Sequence, residues 1–256
     1  MEILHNKIIG DKPNHLIIVH GLFGQLDNWN TLGKKYAEHY TTHLVDLRNH
    51  GRSFHDADTS HKSMALDLID YMEHYNIEKA CFMGHSMGGK VVMSLALDFP
   101  DKVDKLIVAD MAPKTYEPHH NEILKGLKNV DFDQVKVRSD VDEFLKPYIK
   151  SYSIRQFLMK SVYRKKDETY GFRFNLNALY DTYGSIIANN LPDKQFLNPT
   201  LFLGGANSDY ILPEDKDLIL GYFPNAEIDY VSNATHWLHA ENPAEFLKKS
   251  MDFLEK

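Results

Sequence analysis

The sequence predicts an α/β fold in which a mostly parallel sheet is covered by helices on both faces. Short apolar runs alternate with amphipathic segments along most of the chain. This alternation is typical of parallel sheets, because each helix that connects two strands packs on one face of the sheet. With 256 residues, of which 43% are hydrophobic, the chain is long enough to form one large core.

Six apolar runs predict the strands of this sheet. They are short, as strands buried on both faces are. The predicted strands are 15–19, 42–47, 80–84, 104–109, 200–204 and 226–231.

The segments between these runs predict helices. Apolar residues recur at helical spacing in 62–75, and a second helical run, 90–99, stops before a proline. The last helix has the clearest start, with Asn242 as N-cap, Pro243 in the first turn and Glu245 three residues after the cap.

One segment, 113–190, departs from the alternation. It contains several short helical patterns and no convincing buried strand, and it carries 13 Lys/Arg against 10 Asp/Glu, a net charge of +3. We therefore expect a helical cap, inserted after the strand that ends near Asp110 and lying over one edge of the sheet. Residues 1–112 and 191–256 would form the core, and the cap would not be an independent domain.

Composition excludes several classes of protein. The formal charge of −7 argues against a nucleic-acid-binding protein, which would usually be basic. The single cysteine, Cys81, excludes an internal disulfide and a multi-cysteine zinc site. Neither a signal peptide nor an apolar stretch of membrane-spanning length is evident, so we expect a cytoplasmic protein.

The sequence Gly84-His85-Ser86-Met87-Gly88 is the strongest chemical signal in the chain. It matches G-x-S-x-G between a predicted strand and a predicted helix. That context is typical of a nucleophilic serine on a sharp, strained turn, where small residues two positions away on each side prevent clashes. We therefore predict that Ser86 is a nucleophile.

A nucleophilic serine that attacks a carbonyl needs backbone N–H donors for the oxyanion. One would come from Met87, the residue after the nucleophile. The other would come from the loop after the first predicted strand, His20-Gly21-Leu22-Phe23-Gly24, where Leu22 is the first choice and Phe23 the second.

The general base is expected on a loop late in the chain. His236 follows the last predicted strand and precedes the capped final helix. His239, three residues later, is an alternative, although a structural role suits it better. The H-x-x-H pair alone is a weak metal signal without H-E-x-x-H or a third ligand, so no metal site is predicted.

Two aspartates are candidates for the acid that orients the base. Asp209 follows the strand 200–204, and Asp110 ends the strand 104–109. Either one preserves the chain order serine, acid, histidine. The spacing alone leaves both open.

Taken together, the motifs H-G-L-F-G, D-L-R-N-H-G-R-S, G-H-S-M-G-G, D-M-A-P, G-x-x-S-D-Y and H-W-L-H resemble the α/β-hydrolase superfamily. Within it, the sequence resembles the small bacterial YbfF-type esterases nearly from end to end. The resemblance implies an enzyme that hydrolyses carboxylic esters, with acyl-CoA thioesters as a further substrate class, and that needs no cofactor. It also favours Asp110 as the acid, because the aspartate of D-x-A-P has that role in this group.

Other chemistries occur on the same fold. Lactonases, C–C bond hydrolases and perhydrolases keep the serine and remain alternatives, and a catalytically silent binding protein is a further one, since fold does not fix function. The expected partner is a small-molecule ester or thioester. Its pocket is predicted to draw on aromatic residues, namely Phe23, Phe144, Tyr148, Phe157, Tyr163 and Trp237, although these residue types would equally pack the cap onto the sheet.

Overall fold

The computed structural model describes residues 2–256 and confirms the predicted α/β architecture. Strand bounds agree with the sequence expectation to within one or two residues wherever a strand was expected. In the described range, the strands are β1 (Asn6–Ile9), β2 (His15–Val19), β3 (Thr41–Val45), β4 (Ala80–His85), β5 (Val103–Ala109), β6 (Val162–Arg164), β7 (Tyr170–Phe172), β8 (Thr200–Gly205) and β9 (Ala226–Val231).

Helices connect most of these strands, and short 3₁₀ turns occupy Leu26–Trp29, Pro100–Lys102 and Pro213–Asp215. The α-helices of the same range are α1 (Asn30–Tyr36), α2 (His61–His74), α3 (Met87–Asp98), α4 (Asn121–Lys128), α5 (Asp140–Leu145), α6 (Tyr152–Met159), α7 (Leu176–Asp181), α8 (Tyr183–Ile187), α9 (Lys216–Tyr222), α10 (Leu238–Glu241) and α11 (Pro243–Leu254). Within residues 2–256, no helix is both long and apolar enough to span a membrane.

Seven strands form one twisted sheet in the order β1-β3-β2-β4-β5-β8-β9. All neighbours are parallel except β1, which pairs antiparallel with β3 at the edge. The edge strand β1 was not predicted, because its four residues are at best half-buried and lack an apolar run.

The sheet separates two buried cores. Alternate residues of a strand point to opposite faces, so Ile17 and Val19 of β2 face one core while Leu16 and Ile18 face the other. Helices α2, α3 and α9 pack on the first face, and α1 and α11 pack on the second. Because they run parallel, strands β3, β2, β4, β5, β8 and β9 end at a common carboxyl edge.

The chain between β5 and β8 leaves the sheet and packs over this edge. It carries α4 to α8, together with the two-stranded antiparallel sheet β6–β7. The segment is mainly helical, as expected, but it also contains the β6–β7 pair, whose three-residue strands are too short to show an alternating pattern. Apolar residues of the segment, such as Leu124 and Leu158, belong to the same core as α2 and α3.

Candidate active site

Ser86 occupies the sharp turn between β4 and α3. Its backbone angles, φ 54° and ψ −123°, are strained for a residue with a side chain. A Cβ added at Gly84 would lie 2.3 Å from the Gly88 carbonyl oxygen, and one added at Gly88 would lie 2.5 Å from the His20 carbonyl oxygen. The two glycines of G-x-S-x-G are therefore required by the close approach of the backbone.

The structure brings Ser86, His236 and Asp110 together at the carboxyl edge of the sheet. His236 Nε2 lies 2.8 Å from Ser86 Oγ, and His236 Nδ1 lies 2.8 Å from Asp110 Oδ2. A carboxylate can only accept, so Nδ1 carries the proton and Nε2 is free to accept the Ser86 hydroxyl. This tautomer is the one in which the imidazole can remove a proton from serine.

Asp110 is fully buried and held by several donors. Its Oδ1 accepts the Gly205 N–H at 2.9 Å, and its Oδ2 accepts the Ser208 hydroxyl at 2.5 Å in addition to His236. Its backbone lies in the left-handed region, with φ 50°, and its carboxylate reaches β8 and the His236 loop through these bonds. These bonds fix the orientation of the carboxylate before any substrate binds.

Asp209 takes a different position. Its side chain is exposed, and within residues 2–256 it makes no hydrogen bond to His236. Of the two aspartates that the sequence left open, the structure therefore brings Asp110 to the imidazole and leaves Asp209 at the surface.

Three histidines near the site have structural contacts. His85 Nε2 donates to the His236 carbonyl oxygen at 2.7 Å and so holds the loop that carries the imidazole. His20 donates from Nδ1 to the Gly21 carbonyl and accepts the Leu47 N–H at Nε2. His239 stacks on Trp29 with ring centroids 4.3 Å apart. Burial lowers the pKa of all three, to about 3 for His239, so their rings are uncharged near neutral pH.

Backbone N–H groups suited to an oxyanion face the same space as Ser86. Met87 is the first residue of α3, so its N–H is one of the unpaired donors at the start of that helix. The Leu22 N–H has no acceptor within residues 2–256, whereas the Phe23 N–H donates to His50 Nε2 at 3.2 Å. The geometry therefore favours Leu22 over Phe23 as the partner of Met87.

A cavity of about 200 Å³ opens beside Ser86 and His236. Phe23, Phe157 and Trp237 line it, as the sequence predicts, and the rings of Phe157 and Trp237 are 4.4 Å apart.

The other three predicted pocket residues lie elsewhere. Tyr148 packs beside Gly126, and Tyr163 lies beneath the Arg173 guanidinium at 4.5 Å. Phe144 packs, half-buried, against the core. None of these three aromatics lines the cavity beside Ser86, and Tyr148 and Tyr163 contact other residues of the inserted segment.

Tyr210 is not among the predicted site residues, but it stacks on the His236 ring with centroids 3.7 Å apart and planes inclined by 18°. The Tyr116 hydroxyl donates to the Tyr210 carbonyl at 2.7 Å and accepts the Ala112 N–H. His119 and His120 from the inserted segment also face the cavity. Tyr210 adjoins Asp209 in the G-x-x-S-D-Y motif, so the signal was present but was assigned to the aspartate.

An open parallel sheet with a strained strand-to-helix turn at its carboxyl edge, covered by an inserted segment, defines the class of α/β hydrolases. The family model for the alpha/beta hydrolase fold matches residues 14–243. The chain therefore belongs to the α/β-hydrolase family.

Its relatives include named esterases and lipases. The chain is 35% identical to esterase YbfF of Escherichia coli over 93% of this chain and 92% of that protein. It is 34% identical to an sn-1-specific diacylglycerol lipase of Danio rerio, over 94% of this chain and 78% of the lipase. A solved structure described as a marine microorganism esterase has 38% identity and a TM-score of 0.96, covering 99% of this chain and 100% of that one. These names support ester hydrolysis as the class of reaction.

Proposed function

We propose that this chain hydrolyses carboxylic esters through an acyl-enzyme on Ser86. The observation that carries the proposal is the continuous hydrogen-bonded series from Asp110 through His236 to Ser86, with both contacts at 2.8 Å. The names of the relatives support the choice of esters. Acyl-CoA thioesters and lactones would follow the same steps, so the substrate panel described below includes them.

Acylation begins when Ser86 Oγ attacks the ester carbonyl carbon and His236 Nε2 takes the hydroxyl proton. The carbonyl π electrons move to oxygen, and the N–H groups of Leu22 and Met87 stabilise the resulting oxyanion. When the carbonyl reforms, the bond to the leaving alcohol breaks, and His236 gives its proton to the departing oxygen. The Asp110 carboxylate holds the imidazole in place throughout.

Deacylation repeats the sequence with water. The water oxygen attacks the acyl carbon while His236 Nε2 removes a proton from the water. The oxyanion again accepts from the N–H groups of Leu22 and Met87. Collapse breaks the bond to Ser86 Oγ, which recovers the proton from His236. The carboxylic acid leaves and the site is restored.

Replacement of the nucleophile tests the proposal. Ser86→Ala should lower kcat for p-nitrophenyl acetate by about 10⁴ to 10⁶, because no other group at the site can form the acyl-enzyme. Ser94→Ala is the matched control: Ser94 lies on the same helix, buried, and does not line the cavity. The panel should contain p-nitrophenyl esters, acyl-CoAs and a lactone.

A fluorophosphonate probe provides a second measurement. The wild-type chain and Ser94→Ala should be labelled, and Ser86→Ala should not. A Ser86→Ala protein with wild-type turnover would overturn the proposal. A wild-type chain that neither reacts with the probe nor hydrolyses any member of the panel would indicate the silent binding protein instead.

A further inference from the structure

Two cavities meet at Ser86, and they differ tenfold in size. The cavity already described, about 200 Å³, is here named the large cavity. The small cavity, about 20 Å³, adjoins the large one at Ser86 and extends to Met87, Met111 and Ile187. Both cavities include Ser86 in their walls, together with Leu22, His119, His120 and Tyr210. A substrate whose carbonyl carbon is at Ser86 can therefore extend one substituent into each.

The need for proton transfer to the leaving oxygen determines which cavity holds the alcohol and which holds the acyl chain. The leaving oxygen must lie within reach of His236 Nε2, which protonates it. His236 lines the large cavity and not the small one, whereas Met87, which supplies an oxyanion donor, lines the small cavity and not the large one. The alcohol therefore belongs in the large cavity, and the acyl chain belongs in the small one.

We infer that this enzyme is selective for esters that join a very short acyl group, acetyl above all, to a bulky apolar alcohol. The inference rests on the proposed function. The small cavity is far narrower than the large one, about 20 Å³ against about 200 Å³, so it favours a short acyl group over a long one. The large cavity has apolar walls, including Ile123, Ile154 and Leu158, that suit a hydrocarbon alcohol.

The walls of the small cavity are held by hydrogen bonds, so it does not enlarge easily. The Lys90 ammonium donates to the Ile187 carbonyl oxygen at 2.9 Å and to the Ala188 carbonyl oxygen at 2.7 Å. The Tyr116 N–H also donates to the Ile187 carbonyl. The Tyr116 hydroxyl is held by two hydrogen bonds, from the Ala112 N–H and to the Tyr210 carbonyl. Ile187 therefore closes the small cavity from a fixed backbone, and it is the residue that we expect to set acyl length.

Two ester series separate acyl size from alcohol size. In the first, p-nitrophenyl acetate, butyrate and octanoate vary the acyl chain only. In the second, the acetates of methanol, hexanol and 2-naphthylethanol vary the alcohol only. We expect kcat/KM to fall by about tenfold or more from acetate to butyrate and further to octanoate, and to rise from methyl to hexyl acetate.

A matched pair of cavity variants tests the assignment of each side. Ile187→Ala removes three carbons from the small cavity, and Ile154→Ala removes the same three from the large cavity. Ile187→Ala should raise the ratio of butyrate to acetate kcat/KM by about tenfold or more. Ile154→Ala should leave that ratio within about threefold and change the order among the acetates.

The outcomes distinguish this inference from the proposed function. Hydrolysis of octanoate as fast as acetate, or a butyrate ratio that responds to Ile154→Ala and not to Ile187→Ala, would overturn the inference alone. It would instead indicate the reverse orientation, which a lipase that releases long acyl chains requires. Absence of hydrolysis throughout both series would overturn the proposed function and this inference with it.

Discussion

At the scale of single residues, the difference between Asp110 and Asp209 is one of surroundings. Both follow parallel strands that end at the same edge, and both are near the His236 loop. The Asp110 carboxylate accepts from Gly205 N–H, Ser208 Oγ–H and His236 Nδ1–H and is fully buried, whereas the Asp209 side chain is exposed. Only a buried carboxylate whose other oxygen atom is already satisfied can hold an imidazole in a single orientation.

Amide substitutions should separate the two aspartates. Asp110→Asn should lower kcat for p-nitrophenyl acetate by about 10³ to 10⁴, because an amide presents an N–H to His236 and favours the wrong imidazole tautomer. Asp209→Asn, at an exposed side chain, should stay within about threefold. Steady-state kinetics at one pH measure both.

Asp209→Asn is also the matched control, because it makes the same change in charge near the same loop. An equal loss in the two variants would show that the acid function is shared or that overall charge matters. A large loss confined to Asp209→Asn would contradict the assignment of Asp110.

Residue type and strand position together were enough to locate Ser86 and His236, because G-x-S-x-G needs its two glycines and the base needs a loop after the last strand. Spacing alone left the choice of acid open, because it depends on which way a side chain points at a strand end, and only the family resemblance favoured Asp110. Three of the six predicted pocket aromatics line the cavity and three do not, for a similar reason. Phe157 and Phe144 are the same residue type, but only Phe157 lines the cavity beside the serine. The catalytic roles of Ser86, His236 and the acid, and the binding role of the aromatics, stay predictions.

At the scale of elements, Lys90 joins the helix of the nucleophile to both ends of the inserted segment. It lies one turn after Ser86 on α3 and is buried, with 2% of its surface exposed. Its ammonium donates to the carbonyl oxygen of Lys114 at 2.8 Å, where the segment leaves β5, and to those of Ile187 and Ala188, where it returns. The three N–H bonds of one ammonium are thereby satisfied by backbone from two distant parts of the chain.

Lys90→Met should weaken this junction. The change leaves the carbonyl oxygens of Lys114 and Ala188 without a donor, while the Ile187 carbonyl keeps the Tyr116 N–H. A buried unsatisfied group costs about 1–3 kcal/mol, so we expect the free energy of unfolding to fall by about 2–6 kcal/mol. Urea unfolding measures the loss. Hydrogen exchange should become faster at the two ends of the segment, around Tyr116 and Asn189, whose N–H groups bond within it.

Lys62→Met is the matched control for this experiment. Lys62 lies exposed on α2, so the substitution removes the same charge without removing a buried donor. Its free energy of unfolding should change by less than about 0.5 kcal/mol. Equal exchange rates in Lys90→Met and the wild type would contradict the role of Lys90 as a junction.

The elements themselves were largely predictable. Strands buried on both faces show continuous apolar runs, so β2, β4 and β5 were located to within one or two residues. The strands β1, β6 and β7 were missed, because three or four residues with mixed burial are too few to show a period. The pairing of β6 with β7 also depends on backbone hydrogen bonds such as Lys165 N–H to Thr169 O, which composition does not reveal.

At the scale of the whole molecule, buried histidines couple stability to pH. Burial lowers the pKa of His43, His61 and His120 to about 4 and that of His50 and His239 to about 3. In the unfolded chain a histidine has a pKa of about 6.5. Between these values the unfolded chain binds protons that the folded chain does not. The stability contributed by these groups is therefore fully present above pH 6.5 and is lost as the pH falls through the folded pKa.

His61→Asn should reduce this loss. Asparagine does not titrate, so the decline in the free energy of unfolding between pH 6.5 and 4 should become shallower by up to about 1.4 kcal/mol per pH unit. Urea unfolding at several pH values measures the slope. His74→Asn, at the exposed opposite end of the same helix, should leave the slope unchanged. Parallel slopes in wild type and His61→Asn would contradict the prediction.

The shared core of sheet and inserted segment has a consequence for how substrate enters. Leu124, Leu158 and Ile186 pack in one apolar cluster with Met64 of α2 and Val92 of α3. A hinge that swung the whole segment away from the sheet would expose this cluster to water, at about 25 cal/mol for each Å² uncovered. Entry of substrate and release of product should therefore depend on local rotations of side chains that line the large cavity, such as Phe157 and Trp237. The inserted segment would then stay in place over the site, and only side chains at the cavity would move to admit the substrate.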